Sequence, residues 1–320
     1  MKLLVTGGAG FIGSNFIIHL FGKYPRLKIT NLDKLTYAGN LDNLKGIVKN
    51  KNYRFVKGDI CDAKIVNKLV KESDILVHFA AETHVDRSIK NAGSFVRTNV
   101  LGTYTLLEAA LKYRVKKFVH ISTDEVYGSR LTGYFKEGDP LNPSSPYSAS
   151  KASSDLLARS YYVTYKLPVV ITRSSNNFGP RQYPEKVIPL FITNLLDGKK
   201  VPLYSKGLNV RDWIYVEDNC RAIDEVLQKG VAGEIYNIGA GNDVKNINLT
   251  QKILKKMNQS ESMIQEVQDR LGHDFRYAID CRKIYRLGFK PKMNFDKALS
   301  ETIDWYRKNR SWWTHLKKTF

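Results

Sequence analysis

"VTGGAGFIGS", residues 5–14, decides the fold. A short apolar run, "KLLVT", leads into it, and a helix-patterned stretch over 11–22 leads out of it. Gly7, Gly10 and Gly13 are spaced G-x-x-G-x-x-G rather than G-x-G-x-x-G, yet the physical requirement is shared. A chain that turns sharply from strand to helix, and lets its backbone approach a pyrophosphate at the helix N-terminus, needs residues without a Cβ. Glycines alone are a weak signal. Their place between a strand and a helix supplies the context that gives them meaning.

Working outward, strand-like runs recur at 28–33, 53–59, 73–81, 116–122 and 167–173, with helical patterns between them, notably 95–114 and 148–165. Nearly continuous β-branched strands separated by helices predict a parallel sheet covered on both faces. The expected fold is therefore α/β, a doubly wound (Rossmann) parallel sheet. After residue 175 the pattern loosens. "SSNNFGPRQYPEK" (174–186) reads as a loop, "RDWIYVEDNCRAIDEVLQKG" as a strand and helix, and "GEIYNIGAG" as a strand returning to the sheet. This predicts an NAD-binding domain over 1–178, revisited at about 209–241. A smaller mixed α/β substrate-binding domain is expected within 179–320, mainly 179–208 and 242–292.

Composition narrows the function. The net charge of +20 invites nucleic acid as a partner, but the basic residues are dispersed rather than blocked. The expectation is a solvated Lys-rich surface that attracts small anionic nucleotides, with no nucleic-acid partner. No apolar run reaches the roughly 18 residues needed to span a bilayer, so no membrane partner is expected. The early glycines interrupt any signal-peptide core, and a cytoplasmic protein is expected. Cys61, Cys220 and Cys281 are scattered and odd in number, which favours reduced thiols and no metal site.

Further residues acquire roles from position. Asp33 closes the second strand, about 20 residues after the glycines, where an acid accepts from adenosine ribose hydroxyls and repels a 2′-phosphate. That favours NAD over NADP. Asp59, with the Ile60 backbone, ends the third strand where the adenine edge would lie. "FAAETHVDRS" (79–88) would pass beneath the pyrophosphate and nicotinamide, with His84 its polar ring. "PYSASK" sets Tyr147 and Lys151 one helical turn apart on one face. A free tyrosine, at about 10, is a poor base near neutrality, and a neighbouring ammonium together with the positive nicotinamide ring is expected to favour the phenolate. "KKFVHISTDEVYGS" (116–129) ends a greasy strand in Thr123, Asp124 and Glu125, at the strand end where open α/β sheets bind ligands.

Taken together, "TGGAGFIGS", "HFAAETHVDRS", "STDEVYG", "PYSASKASSD", "SSNNFGPRQYPEKVIP", "RDWIYVED" and "RLGHDFRYAID" cover most of the chain. They resemble the nucleotide-sugar branch of the extended short-chain dehydrogenase/reductase family, and the Thr-Asp-Glu triplet resembles its 4,6-dehydratases. Sugar 4-epimerases lack this acid pair, and decarboxylases and GDP-mannose dehydratases typically carry Thr-Ser-Glu. The resemblance implies dTDP-glucose as substrate, NAD as cofactor and a 4-keto-6-deoxy sugar as product, feeding rhamnose-type deoxysugar biosynthesis. Alternatives are a UDP-glucose 4,6-dehydratase, a 4-epimerase or a UDP-glucuronate decarboxylase.

By the same resemblance, Tyr147 is the base on O4 and Thr123 its hydrogen-bonding partner. Glu125 takes the C5 proton and Asp124 protonates the departing C6 hydroxyl, so opposed protonation states are expected for the two acids. Lys151 completes the catalytic set. The cofactor set implied is Gly7, Gly10, Phe11, Ile12, Gly13, Asp33, Lys34, Thr36, Asp59, Ile60, Ala80, Ala81, Thr98, Tyr147 and Lys151. The substrate set adds His84, Asn176, Lys186, Val187, Pro202, Tyr204, Arg211, Asn242, Arg270 and His273 to Thr123. Two positions depart from the family pattern: Leu271 replaces a proline, and Arg181 stands where an aromatic is common. The family pairs helices 95–114 and 148–165 across a two-fold axis, so a homodimer is expected.

Overall fold

Leu3 and Val5 pack on one side of the first strand and Leu4 on the other, and all three are fully buried. A strand with two apolar faces needs a layer on each. The computed structural model, which describes residues 1–269 and 271–319, supplies them. In chain order the first half runs β1 (Lys2–Thr6), α1 (Phe11–Lys23), β2 (Lys28–Asp33), β3 (Tyr53–Lys57), α2 (Ala63–Lys71), β4 (Ile75–His78), α3 (Val85–Lys90), α4 (Ala92–Phe95), α5 (Thr103–Lys112) and β5 (Lys117–Thr123). It continues with α6 (Pro146–Tyr165), β6 (Val169–Ser174), β7 (Asn176–Phe178), α7 (Val187–Leu196), β8 (Val201–Tyr204), β9 (Val210–Tyr215), α8 (Val216–Lys229) and β10 (Ile235–Ile238). The remainder is β11 (Asp243–Lys245), α9 (Asn246–Lys256), β12 (Ile264–Val267), α10 (Arg282–Arg286), α11 (Phe295–Lys308) and α12 (Arg310–Thr314).

Seven strands form one sheet in the order β10-β6-β5-β4-β1-β2-β3, parallel throughout. The order reverses between β1 and β4, and their C-terminal ends open a crevice there. Phe16, Ile17 and Leu20 of α1 pack with Ile223 and Val226 of α8 on one face. Leu69 of α2, Leu106 of α5 and Ala158 of α6 cover the other. Burial of each large aliphatic is worth roughly 1.5–3 kcal/mol. The predicted return of "GEIYNIGAG" to the sheet is β10, beside β6.

Two smaller sheets, β11-β9-β7 and β12-β8, stand apart from the main one. They share a core of Phe178, Phe191, Trp213, Tyr215, Leu249, Leu299 and Tyr306. Two expectations are corrected. The 174–186 segment is not all loop, because Asn176–Phe178 pairs with β9. The helix expected over 95–114 is broken into α4, a π-helical turn over Val96–Gly102, and α5. Asn99 in that turn reaches inward, accepting from Glu82 N at 2.8 Å and donating to Ser150 Oγ at 2.8 Å. Such wide turns recur where a side chain must be aimed at a site. Among the described residues, no helix is long and apolar enough to cross a membrane.

One buried carboxylate links the two helices of a single face. Asp224 on α8, 1% exposed, meets Lys23 at 2.7 Å and His19 at 3.2 Å, both on α1. Burial alone would raise its carboxyl, but His19 and Lys23 outweigh that and hold it at about 2. The folded value lies below the unfolded one, so the contribution is complete above about pH 4 and fades as pH falls through about 2. Asp224→Ala is expected to lower stability near neutrality by about 2 kcal/mol. Urea unfolding of both proteins should give a gap that narrows towards pH 2. A gap independent of pH would contradict the ionic origin.

Candidate active site

A cleft along the C-terminal ends of β1, β2, β4, β5 and β6 holds about 1600 Å³ of open space, mouth included. The glycine-rich turn forms one end of it. A Cβ on Gly7, at φ +72°, would lie 2.5 Å from Ala80 N, and one on Gly13 would lie 2.4 Å from the Gly7 carbonyl oxygen. No side chain fits between this turn and the segment after β4, so the floor of the cleft is bare backbone at a helix N-terminus.

Asp33 ends β2 beside that turn. Its Oδ2 accepts from Ala9 N at 2.9 Å and its Oδ1 from Leu35 N at 2.8 Å. Burial nevertheless pushes its carboxyl upward. These two bonds occupy two of its roughly four acceptor positions. Asp59, after β3, pairs with Lys34 at 2.8 Å. Burial opposes its ionisation, but the Lys34 bond prevails and lowers it. Phe11, Ile12, Lys34, Thr36, Asp59, Ile60, Ala80, Ala81 and Thr98 all line the cleft with Gly7, Gly10, Gly13 and Asp33. The residues present fit a dinucleotide: a glycine cradle for pyrophosphate, an acid for ribose, and apolar walls.

The other end is built by β5 and α6. Thr123 caps a short turn over Asp124–Tyr127, accepting from Glu125 N at 3.3 Å. The turn throws the two acids to different surroundings. Asp124 is 2% exposed, and its Oδ2 has no hydrogen-bond partner among the described residues. Burial, then the Glu125 and Asp212 carboxylates, push its carboxyl well above the ordinary range. Glu125 Oε2 accepts from the Tyr277 hydroxyl at 3.4 Å. Helix α6 begins at a Ser145–Ser148 capping box with Pro146 in its first turn, which fixes where Tyr147 and Lys151 emerge.

Tyr147 and Lys151 both line the cleft beside the acids. Here the structure departs from the expected electrostatics. Burial, then the Glu125 carboxylate, push the Tyr147 phenol up, against the opposing hydrogen bond from Thr123. Lys151 Nζ donates to the Ile121 carbonyl at 2.8 Å, and burial pulls its ammonium down to about 8. The lysine is aimed at the strand carbonyl, so the protein's own charges do not lower the phenol.

The substrate candidates divide. Asn176 and Lys186 line the cleft. The Asn176 Oδ1 is buried without a hydrogen-bond partner among the described residues. Lys186 Nζ donates to Thr83 O at 2.8 Å. His84, Val187, Pro202, Tyr204, Arg211, Asn242 and His273 are not among the lining residues of the cleft. His84 caps α3, accepting from Arg87 N at 3.4 Å. Val187 opens α7. Arg211 is buried, donates to the Asp274 carbonyl at 2.8 Å and stacks 4.1 Å above the Tyr277 ring. Asn242 donates its amide to the Trp213 carbonyl at 3.3 Å. Pro202 and Tyr204 lie on β8, where Tyr204 meets the His273 ring edge-on at 6.2 Å and His273 pairs with Asp269 at 2.6 Å. Arg270 lies outside the described residues. Leu271 is 79% exposed. Arg181 adopts φ +71° and donates to Asn15 Oδ1 at 3.0 Å.

Several lining residues were not singled out from sequence. Ser174, Ser175 and Asn177 flank Asn176, and Glu185 precedes Lys186, so adjacency was the available signal. Glu82, Gln182 and Tyr183 also line the cleft. Asp212 and Tyr277 approach the acids from distant parts of the chain. Among the described residues, no group of three or more His, Cys, Asp or Glu could hold a metal ion.

Comparison with known proteins agrees with this geometry. The sequence profile of the GDP-mannose 4,6 dehydratase family matches residues 4–302. A dTDP-glucose 4,6-dehydratase of Streptomyces niveus is 54% identical over 322 residues, 99% of this chain and 96% of that protein. One from Streptomyces antibioticus is 55% identical over 324 residues, again 99% and 96%. Among solved structures, dTDP-glucose 4,6-dehydratase from Streptomyces venezuelae with NAD bound superposes with a TM-score of 0.97. It is 52% identical, and the match covers 99% of this chain and all of that one. The chain belongs to the GDP-mannose 4,6 dehydratase family, on the side of it that carries the dTDP-glucose 4,6-dehydratases.

Proposed function

We propose that the protein is an NAD-dependent dTDP-glucose 4,6-dehydratase, a hydro-lyase that forms dTDP-4-keto-6-deoxyglucose and water. The observation that carries the reading is the triplet Thr123–Asp124–Glu125 beside Tyr147 and Lys151 at one end of a single cleft. Oxidoreduction alone would need only Thr123, Tyr147 and Lys151; the acid pair adds an elimination.

NAD bound along the glycine cradle supplies a positively charged ring that takes hydride from sugar C4 and returns it to C6. Tyr147, favoured as phenolate beside that charge, accepts the O4 proton, with Thr123 hydrogen-bonding the same oxygen. The C4 ketone acidifies the C5 proton, which Glu125 removes. Asp124, kept protonated by burial and like charge, donates to the C6 hydroxyl as it leaves as water. Glu125 then returns its proton to C5. Asn176 and Lys186 are assigned to the sugar diphosphate on the opposite wall. Pro202, Tyr204, Arg211, Asn242 and His273 are assigned to the nucleotide, with β8 and the neighbourhood of His273 as its seat. The main sheet is thereby the NAD-binding domain and the smaller sheets the substrate domain.

The free thiols of Cys61, Cys220 and Cys281 suit a reducing, cytoplasmic compartment. Exposed apolar residues on two packed segments, Val96, Leu101 and Tyr104 on one and Leu156, Val163 and Tyr165 on the other, support a homodimer through this face. Sedimentation at micromolar concentration should give twice the chain mass; a monomer would refute it. The function is tested by incubating the protein with NAD and dTDP-glucose and following the alkali-induced absorbance of a 4-keto product. Turnover of UDP-glucose or UDP-glucuronate, with none of dTDP-glucose, would overturn the assignment.

A further inference from the structure

The glycine-rich turn is tied to a part of the chain that the chemistry above does not use. Asn43 is buried, with both ends of its side chain engaged. Its amide donates to the Ala9 carbonyl at 2.9 Å, and its carbonyl accepts from the Trp312 indole at 3.0 Å. An indole N–H only donates and a peptide carbonyl only accepts, so these two partners fix the orientation of the amide. Ala9 lies in the middle of the turn. Its carbonyl also accepts from Asn40 N at 3.0 Å, and its N–H donates to Asp33 at 2.9 Å.

The segment that carries Trp312 also holds two further residues of the cleft lining. Trp312 packs on Trp305 and Tyr306, with ring centres 4.9 and 6.4 Å away. The Tyr306 hydroxyl donates to the Gln182 carbonyl, and the Tyr183 hydroxyl donates to Leu316 O at 3.4 Å. Gln182 and Tyr183 line the cleft, just after Pro180 and Arg181, which bond to Asn15 on the helix that the glycine turn opens. One aromatic segment thus reaches the glycine turn through Asn43 and the cleft lining at Gln182 and Tyr183.

We propose that Trp312 is a positioning residue that latches the glycine-rich turn through Asn43 and slows the release of NAD. The inference rests on the reading of the cleft as an NAD site. It has a chemical rationale: the cofactor is reduced and reoxidised within one turnover, and its departure in between would strand the sugar as a ketone. Fixing a loop in its bound shape favours affinity mainly through slower dissociation.

The test measures NAD affinity by calorimetry and NAD release by chase with excess competitor, alongside the melting temperature of the protein alone. Trp312→Phe keeps the ring packing and removes the donor. It should weaken NAD binding and speed release by about fivefold to tenfold, the weight of one partly buried neutral hydrogen bond. Asn43→Asp keeps an acceptor for the indole, loses the donor to Ala9, and should act in the same direction; it carries the test should the first variant fold poorly. Because the two side chains form one latch, the double variant should release NAD no faster than the worse single. Variants that melt earlier yet release NAD at the wild-type rate, or whose effects add, would overturn the latch alone. A wild-type protein that does not bind NAD would overturn the latch together with the cofactor reading.

Discussion

Asp124→Asn is expected to let C4 oxidation proceed while slowing water loss by about 10²–10⁴-fold, the usual weight of a positioned general acid. The reason lies in where the carboxyl sits. Asp124 is almost fully buried, with Glu125 adjacent and Asp212 close enough to add a second like charge, so its neutral form prevails. An amide has the same shape and the same neutrality, so packing and substrate binding should survive. What it lacks is a proton acidic enough to accompany the C6 oxygen as water. In a single turnover with dTDP-glucose, the absorbance of reduced cofactor should rise and persist, with little 4-keto-6-deoxy product. Equal loss of both signals would show that Asp124 serves the oxidation step, or merely the fold, and would remove it from the elimination.

Tyr147→Phe is expected to abolish the earlier step. Both signals should fall by about 10²–10⁴-fold, because without the hydroxyl no group accepts the O4 proton. The ring is buried against Phe95, edge to face at 6.3 Å, so phenylalanine preserves that contact and the variant should remain folded. The pair of variants is informative in combination. Asp124→Asn exposes an oxidised sugar that Tyr147→Phe prevents from forming. A Tyr147→Phe protein that still reduces its cofactor on the time scale of wild-type turnover would transfer the base role elsewhere. The protein's own charges do not ready the phenol: burial and Glu125 raise it, and Lys151 directs one of its three N–H donors to the Ile121 carbonyl.

The glycine turn, Asp33 and the Tyr147–Lys151 spacing were legible in the sequence because each is local: a strand, a turn and a helix within a few residues of one another. The sheet was legible for a related reason, since strands buried on both faces must be apolar along their whole length. The acid pair could be read as chemistry because Thr123, Asp124 and Glu125 are consecutive at a strand end. Adjacency also hinted at Ser175 and Glu185. Nothing local pointed to Tyr277, which reaches Glu125 from far along the chain, or to Asp212 near Asp124. Nor did anything local join Trp312 to Asn43 and the glycine turn.

Sequence by itself therefore determined the doubly wound fold and the glycine-rich turn between its first strand and helix, because backbone sterics and strand periodicity act over short stretches; the candidate reacting side chains came from the family resemblance. Tertiary structure alone decided the protonation bias of those side chains. The same residue type behaves differently among different neighbours: Asp124, shut away with two other carboxylates, is driven towards its acid form, whereas Asp224, also little exposed but met by His19 and Lys23, is held ionised. Desolvation and Coulomb forces depend on neighbours in space, and the chain order of residues does not specify those neighbours.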